Sequence, residues 1–147
     1  MAKDGNRITI SDDSLSPYVE QFLVPPCYNS EGHPVFFGSA HLDEEVRPCK
    51  VTLWGHKLFC SIWVDGSEEV LHEGPFTILP FTEEMELVPA EFGRLPPGRS
   101  PVVGGHDYEC RPLYHALVSI EPSGPRVPGM AANHMVRVDS FDRYPLY

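Results

Sequence analysis

Two polar residues stand where this sequence could do chemistry: Asn29 and Lys50. Asn29 and Glu31 fall in the turn-forming stretch Asn29-Ser30-Glu31-Gly32, and Asp107 follows Gly104-Gly105-His106. Lys50 opens an apolar run, Val51-Thr52-Leu53-Trp54. Short amides and carboxylates can span two vicinal hydroxyls, and a Lys ammonium donates to the same oxygens. Nearby aromatic side chains add a flat apolar face. Turns carried on a rigid sheet are a usual place for such groups. The combination suits neutral, hydroxyl-rich ligands. The alternative for each residue is plainer: Asn29 as a turn-former and Lys50 as a solvated strand end.

Other chemistries find less support. There is no GxSxG elbow, HExxH pair, P-loop or GxGxxG after a strand, so no enzyme is expected. The four cysteines, Cys27, Cys49, Cys60 and Cys110, form no CxxC pair and read as free, partly buried thiols. No His-x-His occurs, and Asp43-Glu44-Glu45 lacks the alternation of a calcium loop. No metal or cofactor is expected. A net charge of −10 argues against nucleic acid and against anionic membrane surfaces as partners. The N-terminus has no apolar signal-like core, which predicts a cytoplasmic protein or one released by another route.

The elements that must position these residues come in two copies. Residues 27–60 align with 105–138 at an offset of 78, placing Asn29 on Asp107, Glu31 on Glu109, Pro34 on Pro112 and Phe36 on Tyr114. A two-residue insertion then shifts the offset to 80, placing Pro48 on Pro128 and Lys50 on Met130. Beyond it the first offset returns, with His56 on His134. A period this long implies two copies of one supersecondary unit. The length fits one domain, 1–147, with repeats at about 25–90 and 101–147 and segment 1–24 packed on them.

Sixteen prolines and twelve glycines demand frequent turns and favour short strands over helices. Strands are expected at 7–10, 34–38, 49–54, 57–64, 75–81, 112–118 and 134–138. Residues 16–24 read as a strand or one helical turn, and 68–71 as an extended piece. Turns or loops are expected at 55–56, 65–67, 104–107 and 121–128, with a linker at 92–101. The fold class is all-β: an antiparallel sandwich or barrel-like body of two pseudo-symmetric repeats.

The pattern Asn29-x-Glu31-Gly32-x-Pro34-Val35-Phe36-Phe37-Gly38, followed by Pro48-x-Lys50-Val51, resembles the DM-nine repeat. The second copy matches through Asp107, Glu109, Pro112-Leu113-Tyr114 and Pro128-Gly129. Tandem pairs of this repeat are similar to small lectin-like proteins that bind mannose, and the same module precedes the pore-forming part of natterin-like proteins. The resemblance implies a carbohydrate-binding protein, without catalysis, that recognises mannose-type glycans as part of innate recognition. It implies Asn29 and Lys50 as the contact pair, Glu31 in support and Asp107 as the second-site candidate. A homodimer would present several weak sites together. Neither repeat holds the family's full Asp/Lys pair, since Asn29 stands with Lys50 and Asp107 with Met130. The alternative is a protein-interaction module of the same fold that has lost sugar binding.

Overall fold

The computed structural model describes residues 7–10, 14–21, 23–64, 68–87, 100–119 and 126–131. These described residues form ten strands and one helical turn in the order β1 (Ile8–Ile10), α1 (Pro17–Glu20), β2 (Cys27–Tyr28), β3 (Pro34–His41), β4 (Val46–Trp54), β5 (Lys57–Val64), β6 (Glu68–His72), β7 (Phe76–Leu79), β8 (Val103–His106), β9 (Pro112–Ser119) and β10 (Arg126–Ala131). All pairings are antiparallel. One path runs β1-β7-β3-β4-β8-β9-β10, with β2 on β3 and the β5-β6 hairpin on β4. The protein is all-β. The stretch 16–24 contributes one helical turn, with Pro17 at its first position, where a missing N–H costs nothing.

The repeat is visible in the pairing itself. In the first copy β2, β3 and β4 form a meander; in the second, β8, β9 and β10 repeat it. Tyr28 pairs with Pro34 as His106 pairs with Pro112. Phe37 lies opposite Lys50 as His115 lies opposite Met130. The two extra residues of the second copy fall between β9 and β10, so the offset of 80 holds through the last strand. Residue His134 and the expected strand at 134–138 lie outside the described residues, as does all of 92–101 except the last two residues.

Two expectations are corrected. Residues 103–106 form β8 rather than a turn, and the turn begins one residue later, at Asp107. Residues 126–128 belong to β10 rather than to a Pro/Gly loop. Pro128 occupies the strand position that Pro48 occupies in β4.

The first-repeat sheet buries both faces unequally. One face carries Phe36, Ala40, Cys49, Val51, Leu53, Leu58, Cys60, Ile62, Phe76 and Ile78, capped by Leu15, Val19 and Leu23 of the N-terminal segment. Each Val, Leu, Ile or Phe side chain among them is worth about 1.5–3 kcal/mol of burial. Cys49 and Cys60 meet here at 3.4 Å as free thiols. The opposite face, at β3 and β7, is covered by the second repeat: Phe37 and Leu79 pack on Leu117, and His115 tilts onto Phe37 with ring centroids 5.4 Å apart. Farther along, over β4, β5 and β6, that same face carries exposed Trp54, Phe59 and Leu71. Lys50 stands between the covered and open parts.

Candidate functional site

Asn29 and Asp107 do the same local work. Asn29 Oδ1 accepts from the backbone N–H of Glu31 at 3.0 Å and of His33 at 2.9 Å. Asp107 Oδ1 accepts from Glu109 N and Arg111 N, both at 2.9 Å. Each backbone closes the same loop, with Asn29 N donating to His33 O and Asp107 N to Arg111 O. Asn and Asp are favoured in such turns because they satisfy the amides that the turn leaves open. The position that needs a left-handed backbone is Gly32 in one copy (φ 86°) and Cys110 in the other (φ 64°). A side chain there costs about 1–2 kcal/mol. Cys110→Gly should therefore stabilise the protein by about 1 kcal/mol in urea unfolding; no gain would mean the strain is relieved locally.

The copies then diverge. Arg111 Nε donates to Asp107 Oδ2 at 2.8 Å and lies 3.4 Å from Glu109. Partial desolvation opposes ionisation of Asp107, but the hydrogen bonds from Arg111 and Glu109 and the guanidinium charge outweigh it and hold the carboxyl below its usual range. Asp107 thus has both carboxylate oxygens engaged by its own turn. In the first copy the residue matching Arg111 is His33, which instead stacks on Trp54, with ring centroids 4.8 Å apart and planes 26° from parallel. Glu31 stays on the turn, its Oε2 3.8 Å from His33 Nε2.

Lys50 points to the same face as Phe37, its partner across β3. Its Nζ forms an ion pair with Glu69 of β6, two strands away, across Ser61 of β5. The Lys50 side chain retains 17% of its exposure and Glu69 36%, so the pair sits at the surface edge of the covered zone. Burial pushes the Cys27 thiol up to about 11, and the nearby Lys50 ammonium offsets only part of this. That thiol is no nucleophile at neutral pH. In the second copy Met130 takes the place of Lys50, and its Sδ lies 3.9 Å from Arg47 Nη2.

The turn residue Asn29 and the strand residue Lys50 belong to one meander but are not brought together: the Asn29 turn sits at the Pro34 end of β3, where His33 meets Trp54, and Lys50 lies farther along, opposite Phe37. Asp107 and Met130 are presented by the other meander. Glu69 was not legible from spacing, because β6 reaches Lys50 only through two strand registers. Among the described residues no group of three His, Cys, Asp or Glu could hold a metal ion. No described helix is long and apolar enough to cross a membrane.

No curated protein matches the chain. The sequence model of the DM9 repeat matches residues 29–136, beginning at Asn29 itself and taking in both turns, β3 and β4 of the first meander and all of the second. The chain belongs to the DM9 repeat family, a carbohydrate-binding family.

Proposed function

We propose that this protein is a non-catalytic, lectin-like binder of neutral, mannose-type glycans, with its working site in the first repeat around Lys50. The observation that carries the reading is the Lys50–Glu69 pair at the margin of the open sheet face. An ammonium donates to a hydroxyl oxygen, and a carboxylate accepts from the neighbouring hydroxyl, so one vicinal diol can meet both. The pair is neutral as a unit, which suits an uncharged ligand on a protein of net charge −10. Glu69 thereby supplies the carboxylate that Asn29 lacks. Asn29 fixes its turn through Oδ1, and Glu31 extends from that turn, at the Trp54 end of the face rather than beside Lys50. The second repeat, with Met130 for Lys50 and Asp107 tied to Arg111, contributes no comparable site. With one weak site per chain, a homodimer would raise avidity on a glycan-bearing surface, as recognition in defence would require.

Calorimetry with mannose and galactose tests this. Saturable mannose binding should fall by about tenfold or more in Lys50→Ala and in Glu69→Gln, since a charge-assisted hydrogen bond is worth about 1.5–3 kcal/mol. Binding that survives both changes would place the site elsewhere. No heat from any neutral sugar would replace this reading with the protein-interaction one.

A further inference from the structure

The open part of the sheet face continues past Lys50, and its composition is not that of an ordinary solvated surface. Along β4 the residues on this face are Lys50, Thr52 and Trp54; across on β5 they are Ser61, Phe59 and Lys57. The alternate residues Val51, Leu53, Leu58 and Cys60 are buried in the core beneath. Trp54 is 58% exposed and Phe59 38% exposed. Trp54 is also held: His33 stacks against it, and His33 is set by the Asn29 turn. An aromatic ring fixed in place and left open is a ready stacking surface, because binding it costs little ordering.

We infer that Trp54, His33 and Phe59 form a second sugar subsite, so that the ligand is a neutral oligosaccharide lying along β4 and β5 with its end at Lys50 and Glu69. This rests on the carbohydrate-binding reading above and extends it. The geometry requires more than one ring. Lys50 and Trp54 are four residues apart on one strand, about 13 Å at the usual rise, which is beyond the span of a single pyranose. The chemistry along the path matches a sugar chain. A pyranose has an apolar C–H face for Trp54 or Phe59 and equatorial hydroxyls for Thr52, beside Phe59, and for Ser61, opposite Lys50. An anionic polymer is disfavoured by the protein's charge.

The test compares each neutral oligosaccharide on a glycan array with its own terminal monosaccharide, followed by calorimetry on the best pair. The native protein should bind the longer ligand about tenfold more tightly, the value of one good aromatic contact. That ratio should collapse toward one in Trp54→Ala and persist in Trp54→Phe, which keeps a stacking face. Lys50→Ala should weaken both ligands together. Equal affinity of the native protein for long and short ligands would overturn the second subsite while leaving the Lys50 site standing. A length preference that Trp54→Ala does not change would also overturn it. Binding of neither ligand would sink the reading on which it rests. A self-association of the native protein that Trp54→Ala abolishes, seen by sedimentation without sugar, would assign the face to a second copy of the chain instead.

Discussion

Gly105→Ala should destabilise this protein by about 3 kcal/mol or more, the upper end of what overpacking costs. Gly105 lies in β8 where the second repeat joins the first, next to His106, which pairs with Val46 of β4. A Cβ built at Gly105 falls 1.8 Å from the Val46 carbonyl oxygen and 2.5 Å from its carbon. Both atoms are backbone, so no rotamer change can clear them. Either β8 moves off β4 or the register slips, and in each case the joint between repeats opens. Typical domains hold only about 5–15 kcal/mol in total, so the loss is large. Gly74→Ala is the matched control. Its nearest clash, at 3.0 Å, is with the His72 ring, which can swing away. That variant should stay within about 1 kcal/mol of the parent. Urea unfolding measures both; equal midpoints for the two variants would mean the β8–β4 approach is not tight.

The same position shows where sequence reading works and where it stops. The repeat, its offset of 78 and the shift to 80 were legible because each meander must carry its own Asx-type turn, its own proline and its own apolar strand. The structure returns these as Phe37 opposite Lys50 and His115 opposite Met130. Gly104-Gly105, by contrast, reads as a breaker from local propensity. Both glycines are in a strand because Pro48, His115 and Val46 leave no room for a side chain, and that crowding is tertiary. The same limit hid Glu69 from Lys50, which meet only across the β4–β5–β6 registers. It also left the Asn29 question half answered. The residue does form the turn, as its type alone implies, and that turn then sets His33 against Trp54. Local chemistry predicted the hinge of the site but not what the hinge holds.

A contact spanning 108 positions of the chain has the clearest consequence for pH. Arg7 precedes β1, and its guanidinium donates to Ser39 Oγ at 2.9 Å and to the Val103 carbonyl, while its Nη2 lies 3.0 Å from His115 Nε2. Ser39 in turn donates to the Gly104 carbonyl. This polar cluster ties the N-terminal segment, the first repeat and the second repeat together. A guanidinium can only donate, so His115 Nε2 must accept, and the ring proton sits on Nδ1. That buried Nδ1 has no hydrogen-bond partner, and neither does Thr77 Oγ1 on the same face. The site therefore tolerates neutral His115 at a cost and resists the cation far more.

Burial, and then the Arg7 charge, hold His115 well below its ordinary value of 6.5. The sign follows from proton counts. Below pH 6.5 the unfolded chain takes up a proton on this residue and the folded protein does not. Stability is therefore full above that pH and is lost as pH falls through it, by up to about 1.4 kcal/mol per unit. Asp107, whose carboxyl is held low, acts in the same direction, but only below about pH 4, where an unfolded carboxylate begins to protonate. The two windows are separable. His115→Gln keeps an acceptor for Arg7 and removes the titration. Urea midpoints from about pH 7.5 to about 4.5 should fall steeply for the native protein below about pH 6.5, while the His115→Gln variant stays flatter over the same range. Parallel slopes would show that His115 takes up its proton in the folded state, and that Arg7 does not hold it neutral.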